Sequence, residues 1–129
     1  MLKLAQDAVE EFHRGVGQPV GAELGTDAEL RIALIQEELN ELGDALHETV
    51  ATTDERLVDV ADALADLIYV VLGSAVVWGI DLSPVFEEVH RSNMAKIVNG
   101  VVLRRADGKI EKPAGWTPPG IRKALGMEP

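Results

Sequence analysis

The 14 residues from Leu67 to Ile80, "LIYVVLGSAVVWGI", carry no charge. A helix that is apolar on every side belongs in the interior of a fold or in a bilayer. Fourteen residues fall short of the roughly 20 needed to span the hydrocarbon core, so the segment reads as a buried helix and no membrane span is expected. Asp66 stands directly before it and is the one charged residue from Ala63 to Trp78. A carboxylate in such surroundings is costly unless a cation or hydrogen bonds compensate.

The rest of the chain supplies partners for that helix. In "LAQDAVEEFH" the apolar residues Leu4, Ala5, Ala8, Val9 and Phe12 follow the 3.6-residue period, and Gly15 and Gly17 stop it. Thr26 and Asp27 are both suited to cap a second helix running to about Glu48. Thr52, Thr53 or Asp54 can cap a third, from about Glu55 to Trp78, ending at Gly79. Ser83 as N-cap with Pro84 at the first helical position opens a fourth. Asp107-Gly108 signals a hairpin between two short extended pieces, and the Pro- and Gly-rich end reads as loop with one closing turn. The expected fold is therefore all-α, a bundle of four to five helices with a short C-terminal hairpin or extended tail. At 129 residues and 47% hydrophobic content it suits a single domain over 1–129.

The absence of cysteine excludes disulfides and thiolate metal sites. The acidic start "MLKLAQDAVEEF" does not fit a signal peptide, and a cytoplasmic location is expected. Charge is divided along the chain. Residues 1–90 hold four bases against 19 acids, and residues 91–129 hold eight bases against three acids. An acidic body repels phosphate polymers, which argues against a nucleic-acid partner. The division suits a ligand that is itself divided: cations held by carboxylates and a small polyphosphate held by lysine and arginine.

The acids have a pattern. On the second helix Ile35, Leu39, Leu42 and Leu46 form one stripe, expected to face the core, and beside it lies a facet of Leu34, Glu38, Glu41 and Ala45. Glu37 lies one turn from Glu41 on the outer side. On the third helix Glu55, Asp59, Asp62 and Asp66 fall within about 60° of one another. Two antiparallel helices joined by "ETVATTD" bring the facets together. Carboxylates sharing one cleft call for hard divalent cations, magnesium first because it binds through carboxylates plus substrate phosphates. Glu55 and Asp59, near a helix N-terminus, read as dipole-stabilising acids.

"EELNE" at 37–41 followed by "DALADLIYVVLG" at 62–73 resembles the all-α nucleoside triphosphate pyrophosphohydrolase superfamily, which includes MazG-like enzymes and dimeric dUTPases. "EEFHRGVGQPV", "EVHRSNMAKI" and "RRADGKIEKPAGWTPP" are similar to its phosphoribosyl-ATP pyrophosphohydrolase-like branch. The resemblance implies hydrolysis between the α and β phosphates, giving a nucleoside monophosphate and pyrophosphate. Magnesium is the implied ion, with manganese as its substitute. It implies Glu38, Glu41 and Asp66 as metal ligands and Glu37 as a ligand or as the base that orients the attacking water. The commonest second motif has Glu where this chain has Ala63, so Asp62, on the facet of Asp66, is taken as the fourth ligand. Asn93 is implied as a contact to sugar or base and Lys96 to phosphate. Arg91, Lys109 and Arg104 are further candidate bases that also read as solvated surface charges, and Trp116 reads as a stacking surface or a packing anchor. A homodimer or higher homo-oligomer is expected both from the resemblance and from the need to cover Leu67 to Trp78.

Two rivals belong to other classes. Glu10-x-x-His13 and Glu87-x-x-His90 match the ligand spacing of di-iron carboxylate bundles, but His13 falls at the end of a short helix and the scheme leaves most acids without a task. His90 reads instead as a supporting or core histidine. A non-catalytic acidic helical interaction module explains the segregation of charge less well than a metal-nucleotide site does.

Overall fold

The computed structural model describes residues 2–127. It contains α1 (Leu2–Val16), α2 (Ala28–His47), α3 (Thr53–Val77), α4 (Leu82–Met94) and α5 (Ile121–Ala124). The described residues form isolated β-bridges but no strand, so the all-α expectation holds. The chain divides into two compact units, one ending at Ile80 and the other beginning at Asp81.

In the first unit α3 is the spine, with α2 and α1 packed on it. Leu72 to Val77 are buried, together with Val9 of α1 and Ala63. Phe12 of α1 meets Tyr69 of α3 edge to face at 5.8 Å. The apolar run is thus only partly in need of a partner: its second half is already interior to this chain. What stays exposed is a stripe of Leu57, Leu64, Ile68 and Val71, which helical geometry places across α3 from Asp62 and Asp66. By length and composition alone α3 could cross a membrane, and its buried C-terminal half marks it as a core helix. On α2 the core stripe is rotated from the expected one. Leu39 and Leu46 are exposed while Arg31 is buried and Glu38 and Ala45 are half-buried. The facet bearing Glu38 is therefore part of the packing face.

The helix ends explain the boundaries. Thr52 and Glu55 form a capping box at the start of α3, each side chain accepting the other's backbone N–H at 3.2 and 2.9 Å. Glu55 is thereby committed to the cap. Past the other end, Gly79 takes φ 65, and the carbonyls of Val76 and Val77 accept N–H groups from Gly21 and Ala22 in the preceding loop. Asp27 occupies the N-cap of α2 in a left-handed conformation, and its side chain caps nothing, because the turn from Glu23 to Asp27 already fixes the chain entry through the Thr26 N–H and hydroxyl bonds to Glu23 O. At α4 the cap is Asp81, whose carboxylate accepts from Ser83 N at 3.1 Å. The helix starts before the expected Ser83, and Pro84 sits within the first turn, where a missing N–H costs nothing.

Arg31 locks α2 to α3. It is 3% exposed and donates to the Val70 carbonyl at 2.7 Å and to Ser74 Oγ at 3.1 Å. Burial lowers its pKa, and the charge of Asp27 works in the opposite direction. Its guanidinium and the buried His13 ring lie over Gly73, where a Cβ would overlap Arg31 Nη2 and come within 3.0 Å of His13 Nε2.

In the second unit α5 packs on α4. Glu88 accepts from Gly120 N at 2.9 Å and from Arg91 at 2.8 Å, and those bonds hold its carboxyl below the usual value. Gly108 takes φ 87 beside the Arg104–Ile110 bridge, as the hairpin signal implies. A tighter turn lies at Asn99-Gly100, with φ 52 and 75, where Val98 and Val101 exchange two hydrogen bonds of 2.9 Å. This is the I′ geometry that Asn-Gly favours. Its sequence signal was as strong as the one at Asp107-Gly108.

Because Arg31 and His13 are both buried and held against Gly73 by hydrogen bonds that a shift would break, Gly73→Ala is expected to destabilise the protein by about 1–3 kcal/mol. Chemical denaturation checks this, and an unchanged midpoint would refute the lock.

Candidate metal centre

One turn of α2 carries Glu37, Glu38 and Glu41, and each offers a carboxylate oxygen within 4.8 Å of the others. Spacings of three and four residues put Glu38 and Glu37 beside Glu41 on the helix surface. Glu38 is half-buried, Glu37 and Glu41 are exposed, and Oε2 of Glu38 is enclosed without a hydrogen-bond partner. An enclosed carboxylate oxygen with no donor is costly, and a cation is one of the few groups that can satisfy it. The carboxyl of Glu38 is pushed above its ordinary value. Burial is the main cause, followed by a hydrogen bond with Glu41 and by the negative charges of Glu41, Asp66 and Glu37. Asp66 of α3 therefore acts on the same carboxyl as the acids of α2. It is half-buried, less deeply placed than its sequence context implied.

Asp62 is exposed, next to the buried Ala63. Together with Glu41, Asp44, Ala45, Glu48 and Asp59 these two residues line a cleft of about 290 Å³ between α2 and α3. Asp59, read from sequence as a dipole acid, lines this cleft. Asp44 and Glu48 were missed, though their signal was legible: Glu37, Glu41, Asp44 and Glu48 recur at steps of four, three and four, a continuous acidic stripe on one helix. Glu41 belongs both to the glutamate cluster and to the cleft that Asp62 lines, whereas Glu38 and Asp66 do not line the cleft.

The di-iron spacing does not build a site among the described residues. His13 lies in the last turn of α1, as expected, but is buried at 2% exposure rather than frayed, and its Nδ1 faces the Pro19 carbonyl at 3.2 Å. Glu10 pairs instead with Arg14. His90 and Glu87 are exposed, so His90 is not a core histidine. The carboxylate cluster among the described residues contains no histidine.

The remaining candidates lie in the second unit. Lys96 donates to Asn93 Oδ1 at 3.0 Å, as their three-residue spacing predicts. Trp116 is a packing anchor whose indole N–H donates to Ser92 O at 2.6 Å. Arg91 is engaged by Glu88 and by the Pro118 carbonyl at 3.2 Å. Arg104 donates to Gly108 O at 2.9 Å within the turn. Lys109 is exposed, and its backbone N–H donates to Asp107.

Comparison with known proteins places this arrangement. The family model for phosphoribosyl-ATP pyrophosphohydrolase matches residues 9–93, more than half of the chain. Over 83 residues the chain is 37% identical to an uncharacterized protein of Acanthamoeba polyphaga mimivirus, covering 58% of this chain and 31% of the relative. The chain thus spans about a third of the length of that relative. The all-helical architecture agrees with the all-α nucleoside triphosphate pyrophosphohydrolase fold, and the family is typically metal-dependent.

The raised carboxyl of Glu38 sets a pH dependence. A carboxyl raised on folding contributes stability below its unfolded value and loses that contribution as pH rises through the folded value. In chelator, wild type should therefore lose stability relative to Glu38→Gln between roughly pH 4.5 and neutrality, and a divalent cation should remove the loss. Thermal melts across that range test it, and a wild-type-to-variant difference that is flat with pH would count against it.

Proposed function

Since the chain belongs to the phosphoribosyl-ATP pyrophosphohydrolase family, hydrolases acting on phosphoanhydride bonds, we propose that it hydrolyses the α–β phosphoanhydride of a nucleoside triphosphate with magnesium, releasing a nucleoside monophosphate and pyrophosphate. The supporting observation is the convergence of Glu37, Glu38 and Glu41 with an enclosed, partnerless oxygen on Glu38. That donor set is all carboxylate, which suits a hard cation such as Mg²⁺ or Mn²⁺.

Glu38, Glu41 and Asp66 hold the ion, with Asp62 as the further ligand from α3. The bound ion supplies charge neutralisation at the phosphates and a lowered pKa for water. Glu37, exposed at the rim of the cluster, accepts a proton from the attacking water and orients it. No residue needs to form a covalent bond to the substrate, because positioning and electrostatics suffice for phosphoanhydride hydrolysis. Asn93 and Lys96, with Arg91 and Lys109, contact the nucleotide. A panel that includes phosphoribosyl-ATP and the deoxynucleoside triphosphates decides which base is preferred.

The protein works in the cytoplasm as a homodimer. A second copy covers the exposed stripe of Leu57, Leu64, Ile68 and Val71, a face too continuous and apolar to leave in water. Ile68→Glu should convert the dimer to a monomer in sedimentation, and a wild-type monomer at micromolar concentration would contradict this assembly.

For the reaction, pyrophosphate release should require a divalent cation. It should fall by at least about 100-fold in Glu38→Gln and Asp66→Asn, with helical circular dichroism unchanged. Wild-type turnover in either variant would overturn the ligand assignment.

A further inference from the structure

Arg31 is an unusual residue with which to join two helices. It is 3% exposed, and among the described residues no carboxylate lies within ion-pair distance of its guanidinium. Asp27 acts on it only as a charge beyond that distance. A buried cation without a counter-ion costs more than a methionine or leucine in the same place. Its acceptors do not require it either. Ser74 Oγ donates to the Val70 carbonyl at 3.1 Å, so both groups keep a partner when the guanidinium is taken away. What the guanidinium adds is register. Its bonds to Val70 O and Ser74 Oγ, at 2.7 and 3.1 Å, engage one turn of α3, and the absent side chain of Gly73 makes the seat between them. Apolar faces tolerate sliding, whereas a buried polar group with fixed partners specifies one alignment at a cost in stability.

That alignment decides which acids face each other. Arg31 meets Val70 and Ser74 at one end of the helix pair and Arg56 meets the Leu46 carbonyl at the other, so α2 and α3 run antiparallel. Both rise about 1.5 Å per residue, so steps forward on α2 match steps back on α3. Seven residues on from Arg31 is Glu38, on the same face, and six back from Leu72, the middle of the seat, is Asp66. Ten on is Glu41 and ten back is Asp62; thirteen on is Asp44 and thirteen back is Asp59. The charge of Asp66 acts on Glu38, and the other four acids line one cleft, as this register requires. A slip of one turn, about 5.4 Å, would carry each acid of α2 past its counterpart.

We propose that Arg31 is the positioning residue of the acidic site: its seat on Val70, Gly73 and Ser74 fixes the register in which Glu38 meets Asp66 and Glu41 meets Asp62. The use of that register to hold a cation rests on the metal-centre reading; the register itself does not.

Two measurements on the full chain test this. In the first, Asn40→Cys and Ala61→Cys, at exposed positions of α2 and α3 in a chain without cysteine, carry spin labels. Their separation is read by pulsed electron paramagnetic resonance in metal-free protein diluted with unlabelled chain. Arg31→Met should move or broaden the distance distribution by up to about one helical turn, and Arg31→Lys, which still donates to Val70 O, should keep it near that of the parent. In the second, Mn²⁺ affinity should fall by about tenfold in Arg31→Met and by less than about threefold in Arg31→Lys. Val9→Ala, which loosens α1 instead, should leave both readings unchanged even as it lowers the melting temperature. If Arg31→Met does not fold, Ser74→Ala removes one acceptor and should weaken Mn²⁺ binding by about threefold. Parent-like distances or parent-like Mn²⁺ affinity in the variant, or an equal loss in Val9→Ala, would overturn the positioning role. If the parent binds no Mn²⁺ while Arg31→Met still moves the labels, the metal reading fails and the register assignment stands.

Discussion

Repulsion among carboxylates on adjoining helices is the constraint on which the first unit depends. Glu37, Glu38 and Glu41 share one turn of α2, and the charge of Asp66 on α3 reaches the same Glu38 carboxyl. Like charges so placed disfavour ionisation and push the helices apart. The fold answers with contacts of another kind. Arg31, two turns before Glu38, is sunk against α3 and bonded to Val70, one turn after Asp66, with Ser74 beside it. The capping box at Thr52 and the bond from Arg56 to the Leu46 carbonyl at 2.8 Å close the other end of the pair. The acids are thereby held in register between two fixed points, and one enclosed oxygen of Glu38 is left without a hydrogen-bond partner.

The second unit has the opposite character. Its bases are spread over α4 and a tail organised by turns and by a single indole rather than by a core. Glu88 gathers Arg91 and the Gly120 N–H into one knot, and Trp116 gathers Lys96 and Lys112 into another. The charge segregation along the sequence thus becomes two chemically distinct surfaces, an acidic one suited to cations and a basic one suited to phosphate.

Much of this was legible because the signals were local. The uncharged run after Asp66, the glycine at 79, the caps offered by Thr52, Thr53 and Asp54 and the spacing of the EELNE motif each rest on helix geometry; the structure caps α3 at Thr52, gives Gly79 φ 65, gathers Glu37, Glu38 and Glu41, and buries the second half of the run. What escaped was what depends on neighbours. The packing face of α2 could not be taken from its leucines, because that face includes the buried Arg31, bonded to α3, and leaves Leu39 and Leu46 exposed. His13 resembled a frayed ligand until a loop carbonyl and Gly73 enclosed it. Asp44 and Glu48 were passed over because the motif ended at Glu41, although the acidic stripe runs on. Asp81 took the cap expected of Ser83 because a carboxylate two residues earlier reaches the same region of the helix start.

The central claim is that the α2 glutamates with Asp66 bind a divalent cation, and it can be tested without substrate. Titrating Mn²⁺ into the metal-free protein and following the free-ion electron paramagnetic resonance signal should show saturable binding near neutral pH, weakened by at least about tenfold in Glu38→Gln. Absence of binding, or equal affinity in wild type and variant, would contradict the account.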